Sequence, residues 1–266
     1  MIALSSFVIG NDLRSNRRIN TLALALFLFV PAIGAEILNG VVIVDQEDGP
    51  AANDQIKMEV KLRQLKEAGV NAVCFVPLAD LEDIDVPEIT FSSQLPRGME
   101  AAIRAAKRLD LKIILKPALS VPAFPSHGGG WRGAIRMASE EDWRAWFDEY
   151  GSMINHYAGI AQRLRVDIFV IGTDYDKATI GRDRPWRKIV RSVRAIYKGR
   201  LSYDANGVEE ADRLPFWDAL DVIGVNIHNF ADLSWSSYRT NLAVLSSRNA
   251  NKPVVATTGD TFATLP

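Results

Sequence analysis

The stretch Ser139–Thr173, SEEDWRAWFDEYGSMINHYAGIAQRLRVDIFVIGT, decides the fold. Ser139 stands three residues ahead of Asp142, the spacing of a reciprocal helix cap. Trp143, Phe147, Tyr150, Ile154, Tyr157, Ala161 and Leu164 then recur at steps of four and three, which draws one apolar face along a long helix. Val166–Thr173 follows as a near-continuous apolar run, the pattern of a strand buried on both faces. A long helix delivering directly into such a strand is half of a βαβ unit, so a parallel sheet is expected.

The same alternation continues outward in both directions. Upstream, strand-like Ile37–Val44, helical Ile56–Ala68, strand-like Asn71–Leu78, helical Gly98–Leu109 and strand-like Lys112–Ala118 follow one another. Downstream, Asp183 and Pro185 open a helix at cap and first-turn positions. Leu201–Ala205, a short helix at Leu214–Leu220, Asp221–Ile227, the helix Trp235–Arg248 and the strand Pro253–Thr257 complete the series. The first strand leads into Asp45-Gln-Glu-Asp-Gly-Pro50, with no Gly-rich dinucleotide turn, so a doubly wound sheet gives way to a (β/α)₈-type TIM barrel. Seven β/α units are visible. Gly259–Pro266 is too short for the remaining helix, strand and helix, so the expectation is an incomplete barrel with open edges on strands one and seven, or one whose gap a partner chain fills.

Ahead of this domain, Arg14, Arg17 and Arg18 precede the apolar run Leu22–Val30, and Ala32, Gly34 and Ala35 follow it. That is the layout of a secretory signal peptide over residues 1–35, with an uncleaved N-terminal membrane anchor as the alternative. The remaining domain would span 36–266, and the apolar run is shorter than the ~20 residues of a membrane-spanning helix. The 266 residues carry 31 basic and 32 acidic side chains, a net charge of −1 that offers no grip on nucleic acid. Cys74, the one cysteine, lies in an apolar run and reads as a small core residue. His127, His156 and His228 show no metal-ligand spacing, and Gly128-Gly129-Gly130 lacks the Lys-Ser/Thr of a phosphate loop. Neither a metal nor a cofactor is expected.

A barrel of this kind works at the C-terminal ends of its strands. That selects Lys116 and Pro117 after strand three, Asp174 and Asp176 after strand four, and Asp204 and Asn206 after strand five. Asn226 and His228 end strand six, and Thr257, Thr258 and Asp260 end strand seven. Trp131 and Arg132 follow the loop after strand three, and Trp235 opens the last helix.

Several of these segments also come in a familiar order. Leu115-Lys-Pro117, Trp131-Arg-Gly133, Trp146-Phe147 with Tyr150, Ile171-Gly-Thr173, Ala205-Asn206 and Phe216-Trp-Asp218 before Asp221-Val-Ile-Gly-Val225 together resemble glycoside hydrolase family 113, the β-mannanase-type barrels. The resemblance implies a retaining glycosidase with an acid/base glutamate ending strand four and a nucleophile glutamate ending strand seven. Here the acid/base position is Asp174, and a gapless match puts Thr258 at the nucleophile. A tyrosine position of the family corresponds to His228, a histidine to Ala118 and a tryptophan to Gly207. A threonine has no charge with which to stabilise an oxocarbenium-like transition state. Asp260, two residues on, would act as the second carboxylate of an inverting pair, with Asp204 the other choice. The expected partner is a polysaccharide or oligosaccharide, with Lys116, Trp131, Arg132, Tyr175, Asp204, Asn206, Asn226, His228 and Trp235 as substrate-binding candidates. A glycan-binding barrel without hydrolysis is the alternative.

Overall fold

The computed structural model describes residues 38–44, 52–121, 130–227, 235–258 and 261–265. The signal-peptide reading at 1–35, and His228 and Asp260, lie outside the described residues. In chain order the elements are β1 (Asn39–Val44), α1 (Ala52–Glu67), β2 (Ala72–Val76), β3 (Leu78–Leu81), β4 (Ile89–Thr90), α2 (Met99–Arg108), β5 (Lys112–Leu115) and β6 (Ala118–Ser120). They continue with α3 (Glu140–Leu164), β7 (Ile168–Thr173), α4 (Asp176–Thr179), α5 (Asp183–Ile196), β8 (Arg200–Asn206), α6 (Gly207–Arg213), β9 (Val222–Asn226), α7 (Trp235–Arg248), β10 (Val254–Thr258) and β11 (Thr261–Leu265). No helix among the described residues is long and apolar enough to cross a membrane.

Seven strands, β1, β2, β5, β7, β8, β9 and β10, pair in parallel in that order around a barrel. The eighth place is not another β/α unit. It is taken by β11, which runs antiparallel to both β10 and β1 and closes the ring. The expected count of seven parallel strands stands, but the expected open edge does not, and no partner chain is needed to cover it. Two residues separate β10 from β11, a spacing that suffices for a hairpin return, whereas a further helix-and-strand crossover needs a dozen or more. Above the barrel, β3 lies between β4 and β6 in a small separate sheet. It forms because Pro77 and Pro117 interrupt the second and third apolar runs, so that each expected strand divides into a barrel piece and a rim piece.

Alternation along the strands sorts the core into two compartments. Val42, Cys74, Ile114, Ile168, Val170, Val222 and Val255 fill the barrel interior, and a larger cluster lies between the sheet and its helices. Helix α3 docks there with the face read from its spacing. Trp146, Tyr150 and Ile154 are wholly buried, and the cap is reciprocal: the Asp142 N–H donates to Ser139 Oγ at 3.1 Å while Asp142 Oδ2 accepts from the Ser139 N–H at 3.1 Å. Helix boundaries differ from expectation in three places, the first being α1, which begins at Ala52 rather than Ile56. Asp183 is the first residue of α5 rather than its cap, and its carboxylate accepts from Arg187 Nε at 2.7 Å, one turn on. The short helix expected at Leu214–Leu220 is one turn of 3₁₀ at Trp217–Ala219, and the α-helix of that region is α6. Its polar sequence, Val208-Glu-Glu-Ala-Asp-Arg213, carries little apolar periodicity to announce it.

Candidate active site

The fourth barrel strand, β7, ends on a device that aims Asp174. Val170 lines the barrel interior, Ile171 belongs to the outer cluster, and a Cβ at Gly172 would lie 2.8 Å from the Tyr203 ring and 2.9 Å from Trp186, on the same outer side. Two successive residues therefore face outward. The pairing agrees: Val170 is opposite Ser202, but Thr173 is opposite Asp204, so β7 spends one extra residue in a bulge. Asp174 then adopts the left-handed conformation, φ 58°, which Asp tolerates better than most side chains. Its N–H donates to the Asp204 carbonyl at 3.0 Å.

The Asp174 carboxylate is almost wholly buried and accepts from several strands at once. Asn226 Nδ2, at the end of β9, reaches Oδ2 at 3.1 Å, and Thr173 Oγ1 donates to the same oxygen at 3.2 Å. The Arg132 guanidinium approaches Oδ2 to 3.4 Å from the loop above. Asn226 leads on to β10: Thr257 Oγ1 lies 3.2 Å from Asn226 Oδ1 and 3.2 Å from Asp204 Oδ2. A hydroxyl has one proton to give, and Asp204 is the charged acceptor of the two.

Asp204 is held from below by Lys116, whose Nζ lies 2.7 Å from Oδ2 with both side chains buried. Burial works to lower the Lys116 pKa, but the attraction of Asp204 overrides it and holds the ammonium above its ordinary value. Burial pushes the Asp204 carboxyl up, and the neighbouring charge of Asp174 adds to this against the pull of Lys116. Beneath the pair a cavity in the barrel is lined by Cys74, Ile114, Val170, Ser202 and Gly224 among others. Cys74 is the inert core residue expected, its thiol pushed up to about 12 by burial.

The expected site residues thus divide. Asp174, Arg132 and Asn226 meet at the mouth, and the Lys116–Asp204 pair is buried deeper, where it lines the barrel cavity. Asn206 gives its backbone N–H to Glu210 Oε2 at 2.6 Å. Tyr175 is the clear correction. It is wholly buried among Trp146, Tyr150 and Trp186, and its hydroxyl accepts the Leu119 N–H at 3.2 Å, so it has no face for a sugar. Trp131 is 45% exposed, beside Arg132, with its ring folded back over Gly133, where an added Cβ would fall 2.2 Å away. Trp235 opens α7, and the side chains of Trp235 and Thr258 lie outside the described atoms. In β10 the hydroxyl that enters the mouth is that of Thr257, because Val255 faces the interior and strand alternation returns two residues later.

Two groups escaped the sequence reading. Thr257 stood on the rim without a role, and counting inward faces from Val255 would have supplied one. Glu210 is buried on α6, accepting from Tyr203 Oη at 2.7 Å and Thr179 Oγ1 at 3.2 Å as well as from Asn206. Its carboxyl is pushed up to about 7, chiefly by burial against the pull of those donors. The acidic pair Glu209-Glu210 just after a strand-ending Asn206 was the available signal. Among the described residues no cluster of His, Cys, Asp and Glu could hold a metal.

The family model described as Glycoside Hydrolase Family 113 matches residues 48–259, a span running from the first strand's loop to the end of β10. The chain belongs to glycoside hydrolase family 113. A solved structure of a GH113 beta-mannanase from Alicyclobacillus acidocaldarius, in complex with ManMIm, is 26% identical, with a TM-score of 0.66 over 75% of this chain and 64% of that one. A GH113 beta-1,4-mannanase complex gives 24% identity and a TM-score of 0.69, covering 83% of this chain and 71% of that chain. An endo-1,4-beta-mannanase from Rhizomucor miehei shares the fold alone, at 13% identity and a TM-score of 0.54 over 82% of this chain and 75% of that one. This family 113 chain therefore spans less than two thirds of the Alicyclobacillus enzyme's length. No curated protein sequence matches it.

Proposed function

We propose that this family 113 chain is an exported glycoside hydrolase that takes a β-1,4-mannan-like polysaccharide at the barrel mouth, with Asp174 as the proton donor. One observation carries the reading: a carboxylate ends the fourth parallel strand, aimed by a bulge and a left-handed residue and bonded across the mouth to Asn226. Family membership and the mannanase neighbours support the substrate class, and the signal-like segment at 1–35 supports export.

Acid-assisted cleavage needs a second carboxylate to steady the developing positive charge or to activate water. Asp204 is a poor choice because Lys116 already neutralises it and its place is deep in the barrel. Asp260, just beyond β10, is the proposed partner, and an inverting reaction would need it about 6.5–9.5 Å from Asp174. Aspartate reaches about 1.5 Å less far than glutamate, one carbon–carbon bond, so the leaving oxygen must come correspondingly closer to β7.

A second reading rests on Thr257 and the neutralised Asp204. With a hydroxyl where β10 enters the mouth, the barrel would hold the glycan without turning it over. Reducing-end release from mannan, with xylan and cellulose as comparators, separates the two when run on the parent, Asp174→Ala and Asp260→Ala. Release from mannan that both substitutions abolish supports hydrolysis by this pair. Calorimetric binding of mannohexaose without release by the parent supports the glycan-binding reading, and neither binding nor release would refute both.

A further inference from the structure

Glu210 is a buried carboxylate that the proposed chemistry leaves unused, and its partners all belong to the frame around Asp174. Three connections matter. First, Glu210 Oε1 accepts from the Tyr203 hydroxyl at 2.7 Å, and that same hydroxyl accepts the backbone N–H of Tyr175, the residue after Asp174, at 2.9 Å. Second, Thr179 Oγ1, at the far end of the α4 turn that follows Asp174, lies 3.2 Å from Oε1 and 2.9 Å from the Asp176 carbonyl, and shares its one proton between them. Third, Oε2 accepts the N–H of Asn206 at 2.6 Å, at the tip of β8. One side chain on α6 therefore gathers both ends of the Asp174–Thr179 segment and ties them to the neighbouring strand.

That segment has reason to need such a tie. It starts with a bulge and a left-handed aspartate, conformations that persist only when the surroundings fix them. A further anchor on Asp174's backbone is its N–H, which donates to the Asp204 carbonyl. A single hydrogen bond fixes a point, and the second, through Tyr203 to the next residue, fixes the direction in which the carboxylate leaves the chain.

We propose that Glu210, acting through the Tyr203 hydroxyl and Thr179, is the positioning residue that sets the orientation of the Asp174 carboxylate. The inference rests on the reading of Asp174 as proton donor only for its kinetic consequence. Its structural content, the orientation of Asp174, stands apart from turnover.

The test compares Glu210→Ala, Tyr203→Phe and Glu210→Gln in the full chain. Glutamine keeps an oxygen for the Asn206 N–H and turns its amide toward Tyr203 and Thr179, whose hydroxyls can reverse to accept. Two readouts are taken: mannohexaose turnover, and the carboxyl ¹³C resonance of Asp174 in aspartate-labelled protein, assigned by its loss in Asp174→Asn. In Glu210→Ala and Tyr203→Phe, kcat should fall roughly 10- to 100-fold with KM changed less than about threefold, as for a misaimed catalytic group. The Asp174 resonance should shift in both, and Glu210→Gln should restore both readouts to near parent values. Variants that melt lower yet keep kcat and the Asp174 resonance of the parent would overturn the proposal, leaving Glu210 a purely structural cap. Should the parent itself show no turnover, the hydrolase reading fails separately. The resonance then decides alone: a shift in Glu210→Ala and Tyr203→Phe that Glu210→Gln reverses supports the positioning role, and an unmoved one overturns it.

Discussion

Replacing Lys116 by methionine isolates the most consequential electrostatic contact in the barrel. Its ammonium lies 2.7 Å from Asp204 Oδ2, and the two side chains are 9% and 4% exposed. Methionine fills most of the lysine's volume, so the loss is chiefly of charge. Asp204 would keep Thr257 Oγ1 as a donor, at 3.2 Å, but no counter-charge at its side. Removing one member of a buried pair costs about 3–5 kcal/mol, because the other is left desolvated and unpaired. For a domain of this size, where each kcal/mol moves the midpoint by about 2–4 °C, that is a fall in Tm of roughly 6–20 °C. The loss should depend on pH in a definite sense. Burial already holds the Asp204 carboxyl up, and without Lys116 it rises further. An acid whose folded pKa is raised keeps its proton longer in the folded chain, so stability falls as pH climbs from the unfolded to the folded value. The deficit of Lys116→Met should therefore be larger at pH 8 than at pH 5. Scanning calorimetry at both values measures it, and Lys116→Met/Asp204→Leu should regain most of the loss. A single variant melting within about 2 °C of the parent, or equally far below it at both pH values, would refute the account of a buried, mutually dependent pair.

Four further outcomes are expected. Gly224→Ala should lose about 1–3 kcal/mol in urea denaturation, because its Cβ would sit 2.5 Å from the Tyr203 carbonyl and 3.1 Å from Asp204 Oδ1; a neutral result would mean that β8 and β9 can part freely. Tyr175→Phe should lose about 1–3 kcal/mol by stranding the Leu119 N–H, while mannohexaose affinity by calorimetry stays at the parent level. Trp131→Ala should do the reverse, leaving stability within about 0.5 kcal/mol and weakening binding about tenfold. Glu210 should give a stability slope of its own: its carboxyl titrates near 7 when folded against an ordinary 4.5, so stability declines as pH rises across that window, by roughly 3 kcal/mol in all. Glu210→Gln should flatten that decline in a pH series of urea melts, and an unchanged slope would assign it to another group.

The sequence was readable where one physical rule acted alone. The aromatic stripe of α3 had only its period to satisfy, and its cap residues had only one spacing to meet, so both are where they were expected. Trp235–Arg248 likewise coincides with α7. Legibility failed where long-range packing decided between options that look alike locally. Tyr175 follows a catalytic-looking aspartate, yet the bulge at Ile171-Gly172 turns it into the aromatic cluster rather than toward the mouth, and a bulge changes face without changing composition. The closing strand, Thr261–Leu265, is too little chain for the helix and strand that a parallel continuation needs. Antiparallel return needs only a turn, and the ring supplied two edges for it to pair with. Glu210 was invisible for the opposite reason: a charged residue in a polar helix is ordinarily solvated, and only the convergence of Tyr203, Thr179 and Asn206 makes a buried one tenable.

The mouth's polar groups are already bonded to one another, and this sets how a glycan of the proposed class would enter. Sugar hydroxyls arriving there must exchange with internal partners, and the exchange starts where the existing contact is longest and wettest. Lys116 and Asp204, 2.7 Å apart and buried, are the last to yield. Arg132 and Asp174, 3.4 Å apart with the guanidinium side chain 28% exposed, are the first. Arg132 arises from the same loop as the exposed Trp131, so a pyranose settling on that indole would meet the guanidinium next and draw it off Asp174. That leaves the Asp174 carboxylate held by Asn226 and Thr173 and open on the side facing the sugar. Arg132→Ala should accordingly weaken mannohexaose binding, as measured by calorimetry. A variant that binds as tightly as the parent would remove Arg132 from the path of the substrate.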